Sequence, residues 1–89
     1  MIERAVTIVN TRGLHARSAA KLVAAVKPYN CKIELRVSGK NADCSSIMAL
    51  MMLAAGKGTE VFVCADGQDA EAALENICAL IDAGFDEVD

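Results

Sequence analysis

The chain has a single histidine, His15, standing in the stretch "TRGLHARSAA" between Arg12 and Arg17. A neutral imidazole is a good nucleophile near pH 7. His15 follows Gly13 and precedes a run whose apolar residues recur at helical spacing, so it falls where a loop enters a helix. The first backbone N–H groups of a helix, here those near Ala16, Arg17 and Ser18, lack partners within it, and together with the helix dipole they make an anion site. Arg17 adds a permanent charge and a fork of donors suited to phosphate oxygens. Arg12 and Lys21 are placed to strengthen the local field. These residue types allow capture of a phosphoryl group by the imidazole and its retention at the helix end. A plainer reading also fits, a surface histidine acting as N-cap. Triad hydrolysis is not supported: there is no second histidine and no acid between Glu3 and Glu34, so no local pair of base and orienting group is evident.

The elements that must position this loop follow from local pattern. Ala5 to Val9 reads as a first strand, and Asn10 to His15 as the loop after it. Ala16, Ala19, Ala20, Val23 and Val26 mark a helix that Pro28 stops. Cys31 to Ser38 alternates, with Ile33, Leu35 and Val37 on one face and charged residues on the other, the mark of a strand with one wet side. Ser38-Gly39-Lys40-Asn41 is a turn into a brief return strand. Ser45 and Ser46 both offer an N-cap to "IMALMMLAA", a helix ended by Gly56 and Gly58. Thr59 to Ala65 is a fourth strand. Asp69 can then cap a last helix whose stripe runs through Ala70, Ala73, Leu74, Ile77, Leu80 and Ile81, with Gly84 just past its end. One-sided strands and amphipathic helices in this order predict an α+β fold in two layers, helices on one face of a single sheet.

Eighty-nine residues suffice for one domain over residues 1–89 with its own core, needing neither metal nor disulfide. Cys31, Cys44, Cys64 and Cys78 form no CxxC pair and lie within stretches that read as strand or helix, so they are expected as reduced, buried or half-buried apolar residues. With one histidine far in sequence from every cysteine, no metal site is expected. No apolar run approaches the roughly 20 residues that span a bilayer, and no export signal opens the chain, so a cytoplasmic protein without membrane insertion is expected. The net charge of −3 hides a polarised chain: all nine Lys and Arg lie between Arg4 and Lys57 beside three acids, and nine acids with no Lys or Arg follow. Such a basic segment suits an acidic protein partner or a phosphate. Nucleic acid fits less well, because only Tyr29 in that segment could stack on a base; a binder using Arg12, Arg17, Lys21 and Lys27 is the weakest reading.

The segments "GLHARSAAKLV" and "SSIMALMMLAAGKGTEV", their separation and the order of elements resemble the HPr family, the histidine-containing phosphocarriers of the bacterial phosphoenolpyruvate-dependent phosphotransferase system. The resemblance spans essentially the whole chain. It implies an open-faced βαββαβα sandwich with a four-stranded antiparallel sheet and three helices on one face. It further implies that His15 accepts a phosphoryl group on Nδ1 from enzyme I and passes it to an enzyme IIA, with Arg17 its electrostatic partner. No cofactor is implied, and the protein is a covalent relay rather than an enzyme, working as a monomer. The chain departs from the family pattern at Ser18, where proline stands. Serine is expected to loosen that turn while adding an N–H and a hydroxyl within reach of phosphate.

A helix on one face of a small sheet cannot bury every side of "IMALMMLAA". If Leu50 and Leu53 point inward, Ile47, Met48 and Met51 lie outward, while Met52 is expected to cap the core. Methionine adapts to more than one partner, as a carrier that visits donor and acceptor requires. With Ile47, Met48 and Met51, the residues Arg12, Ala20, Lys21 and Lys27 complete the expected partner-binding surface. Ser46 matches the serine that an ATP-dependent kinase phosphorylates in some family members; its structural role is N-cap. The ending "AGFDE" resembles the nitrogen-related branch of the family, which gives an alternative: a regulatory module whose targets depend on the phosphorylation state of His15.

Overall fold

A computed structural model describes residues 1–87 of the chain. The elements run β1 (Ile2–Thr7), α1 (Ala16–Val26), β2 (Cys31–Val37), β3 (Lys40–Asp43), α2 (Ile47–Met51), β4 (Glu60–Gly67) and α3 (Ala70–Asp82), followed by a short 3-10 turn at Gly84–Asp86. The strands form one antiparallel sheet in the order β1-β4-β2-β3. The last strand thus enters between the first two, which makes Val61, Val63 and Ala65 the centre of the core.

The alternation of β2 is realised as expected, with Ile33, Leu35 and Val37 buried under the helices. They meet Leu22 of α1, Leu50 of α2 and Leu74, Ile77 and Ile81 of α3 in one cluster. Each such fully buried aliphatic side chain stabilises the fold by about 2 kcal/mol. The other sheet face carries Glu3, Lys32, Glu34, Arg36 and Phe62. All four cysteines are free; Cys31 is half-buried and the rest are buried. No helix among the described residues is long and apolar enough to cross a membrane, and no cluster of His, Cys, Asp and Glu there could hold a metal ion.

Several local expectations need correction. The first strand begins at Ile2 and ends at Thr7, because Arg4 and Glu3 pair across to Val63 and Cys64 as readily as the apolar residues pair. Helix α2 stops at Met51, well short of Ala55. Ala54 turns to φ 53°, and Leu53 and Ala55 reach the core as irregular chain, whereas Met52, still helical and four residues past the exposed Met48, faces outward and is 74% exposed instead of capping that core. Asp69 sits at the N-cap position of α3, but its carboxylate leaves the helix to accept from the Asn30 N–H at 2.7 Å. The rival caps of α2 divide the work: Ser46 Oγ accepts from Ala49 N–H at 3.1 Å, while the N–H and hydroxyl of Ser45 both donate to Asp43 Oδ1. Those two bonds hold the Asp43 carboxyl below its ordinary range.

Candidate functional site

The loop before α1 is built from its glycine outward. Gly13 takes φ +66°, and a Cβ there would lie 2.5 Å from the Ala55 carbonyl oxygen and 2.7 Å from Gly56 Cα, so only glycine lets the loop press on the chain leaving α2. Leu14 N–H donates to that same Ala55 carbonyl at 2.8 Å, and the Leu14 side chain enters the core. The turn is closed by Gly13 N–H to Asn10 O and by Asn10 Nδ2 to Gly13 O.

His15 then caps α1. Its backbone is extended, and its ring turns back over the first turn so that Arg17 N–H donates to Nδ1 at 3.3 Å. A nitrogen that accepts carries the lone pair, so the ring proton belongs to Nε2, which donates to Glu87 Oε2 at 2.7 Å. The other carboxylate oxygen accepts from Asn10 Nδ2 at 2.9 Å. The His15 side chain is 24% exposed and that of Glu87 9%. Burial pushes the Glu87 carboxyl up, but the hydrogen bonds from Asn10 and His15, with the nearby charge of Lys21, more than offset it, so the group ionises below its ordinary range.

Glu87 and Asn10 are the residues that sequence reasoning missed. The expectation of no acid near His15 held only for the neighbouring chain; the fold brings one from 72 positions away. Phe85 is the means. Its ring is fully buried while its backbone, like those of Gly84 and Asp86, is left-handed, so the segment after α3 winds back beneath the histidine loop. Lys21 Nζ donates to the Phe85 carbonyl, which ties that lysine to the returning segment.

The other expected site residues are dispersed in role. Ala16, Arg17, Arg12 and Ala20 are exposed around the helix start, and Lys27 is exposed at its far end. Ser18 is the reverse of the loosening expected. It is fully buried; its Oγ accepts from His15 N–H at 2.9 Å and faces the Gly13 and His15 carbonyls at 3.0 and 3.2 Å, which fastens the turn and keeps the hydroxyl off the open end of the helix. Ile47, Met48 and Met51 are exposed as expected, on the helix whose exit chain supports Gly13. The burial of Cys44 pushes its thiol up to about 12, so it is no nucleophile.

An imidazole with its lone pair at a helix N-terminus and its Nε2–H donated to a carboxylate is equipped to take up a phosphoryl group. Comparison with known proteins identifies the family. The PTS-HPr family model, described as "PTS HPr component phosphorylation site", matches residues 2–83. The chain is 45% identical to phosphocarrier protein NPr of Shewanella violacea, covering 97% of this chain and 94% of that one. It is 44% identical to phosphocarrier protein HPr of Pseudomonas putida over 98% of both. The crystal structure of HPr-C-His from Thermoanaerobacter tengcongensis superposes with a TM-score of 0.93 at 34% identity, covering 99% of each chain. The chain therefore belongs to the HPr family of phosphocarrier proteins of the phosphotransferase system.

Proposed function

We propose that His15 is the phosphoryl acceptor of this carrier, taking the group from enzyme I, which draws it from phosphoenolpyruvate, and yielding it to an enzyme IIA. The observation that carries the reading is the orientation of the ring, with Nδ1 turned to the first amides of α1 and Nε2–H held by Glu87. The Nδ1 lone pair attacks phosphorus; the N–P bond forms as the donor's bond to phosphorus breaks and the donor keeps that electron pair. The ring becomes cationic with its proton still on Nε2, and the Glu87 carboxylate balances that charge. The amides of Ala16 and Arg17 and the exposed guanidinium of Arg17 meet the phosphoryl oxygens. Transfer to the acceptor reverses these steps, with alignment supplied largely by the partners.

Ile47, Met48 and Met51, with Arg12, Ala20 and Lys21 toward the histidine and Lys27 at the far end of α1, form the surface that both partners share. The protein acts as a cytoplasmic monomer, without nucleic acid or membrane insertion. Incubation with phosphoenolpyruvate and enzyme I should add one acid-labile phosphate, read by mass spectrometry; His15→Ala loses it and Ser46→Ala keeps it. No label on the intact chain would end the proposal. The similarity to NPr favours a second reading, regulation by the phosphorylation state of His15, and affinity capture with phosphorylated and unphosphorylated protein separates the two. A serine kinase acting at Ser46 would place its phosphate on the N-cap of α2, where the dipole tolerates it, and would act by repelling acidic partners.

A further inference from the structure

Ser18 is bound to His15 from two directions. Its hydroxyl, fully buried, accepts from the His15 backbone N–H, while its own N–H, at the third position of α1, is directed at the His15 ring to complete a capping box. The hydroxyl is spent on the loop, so only the N–H faces the imidazole. We propose that the Ser18 N–H is a phosphoryl-binding donor that lengthens the life of the phosphohistidine, while the Ser18 hydroxyl serves the fold of the loop alone. The inference rests on His15 being the acceptor.

The sign follows from charge. In hydrolysis, water attacks phosphorus, the N–P bond breaks, Nδ1 keeps the electron pair and inorganic phosphate leaves. The transition state is loose, and its transferring group resembles metaphosphate, with less negative charge on its oxygens than the dianion at rest. A donor aimed at those oxygens stabilises the resting dianion more than the transition state, so it slows hydrolysis. Hydrogen bonds to a charged acceptor are roughly twice as strong as neutral ones, so the N–H that now meets a neutral ring gains when a dianion arrives. Proline fits the first turn of a helix, so Ser18→Pro removes the N–H and hydroxyl together, whereas Ser18→Ala removes the hydroxyl alone.

The test uses phosphoramidate, a small phosphoryl donor that needs no partner protein, on the full chain and both variants. Hydrolysis of the phosphohistidine at neutral pH, followed by phosphorus NMR, should be about fivefold or more faster in Ser18→Pro and within about twofold of the parent in Ser18→Ala. Phosphorylation should also move the Ser18 amide proton of the parent downfield by more than that of Ala19, a shift that a merely structural serine does not produce. Equal lifetimes in the two variants, or an unmoved Ser18 amide, would overturn the inference while leaving His15 as acceptor. Failure of phosphoramidate to label His15 in the folded chain would overturn the acceptor and, with it, the role of Ser18.

Discussion

The contact between His15 Nε2 and Glu87 Oε2 decides what the ring can do. A histidine alone at a helix N-terminus is free to spin, and only one of its nitrogens faces the open amides at a time. The carboxylate removes that freedom by claiming the Nε2 proton, much as an acid fixes the ring of a catalytic histidine in hydrolases. Its ionisation is easier in the fold than outside it, since the Asn10 and His15 hydrogen bonds outweigh burial. A folded value below the ordinary one means that the stabilisation is present above the ordinary carboxyl range and is lost as pH falls through the folded value. Glu87→Gln should therefore lower the urea midpoint near neutral pH, and the gap from the parent should close in acid, below about pH 4. The same variant should accept phosphate from phosphoenolpyruvate and enzyme I more slowly, because the charge on the phosphorylated ring loses its counterion. A gap that persists unchanged into acid would mean that Glu87 acts by shape and not by charge.

At the scale of elements, the histidine loop is held by its neighbours more than by its own bonds. Gly13 lies against the Ala55 carbonyl and Gly56, so Gly13→Ala forces a backbone clash on top of an unfavourable φ. It should destabilise the protein by about 2 kcal/mol or more in urea unfolding. Removal of the α2 cap by Ser46→Ala should cost about 1 kcal/mol in the same assay, and Ser46→Asp should recover most of it, since a carboxylate caps equally well. The sequence made the order of elements and the cored face of β2 legible, because alternation and helical spacing are local signals. It also pointed to Gly13 and His15 by their place between strand and helix. The end of α2 was not legible: "LAA" after Met52 is apolar in any conformation, and only the Ala54 turn shows that Leu53 and Ala55 reach the core off the helix. Nor was the partner of His15, because nothing near the histidine signals that Phe85 anchors a left-handed return carrying Glu87 under the loop.

On the proposed reading, the whole molecule divides its labour between a chemical end and an adhesive flank. The sheet and α3 supply the core, while α1 and α2 pack together and leave Ile47, Met48 and Met51 exposed beside the segment that supports Gly13. An apolar patch costs solubility, and its retention is understandable where a protein must present one surface to successive partners. The polarity of the chain fits this reading: all nine Lys and Arg lie between Arg4 and Lys57, and Arg12, Arg17 and Lys21 lie toward the histidine, charge that would suit an acidic partner. If docking and chemistry are separable in this way, the double variant Met48→Glu, Met51→Glu should leave the thermal midpoint nearly unchanged, because exposed substitutions shift stability by about 0.5 kcal/mol or less. Its labelling by phosphoramidate should match the parent, since the histidine loop is untouched. Its KM as a substrate of enzyme I should rise about tenfold or more, equivalent to ~1.4 kcal/mol of lost docking energy. If docking uses Arg12 and Lys27 as proposed, added salt should weaken it in the parent more than it alters the phosphoramidate reaction. A variant with unaltered KM would remove α2 from the partner surface and leave the loop around His15 to provide recognition as well as chemistry.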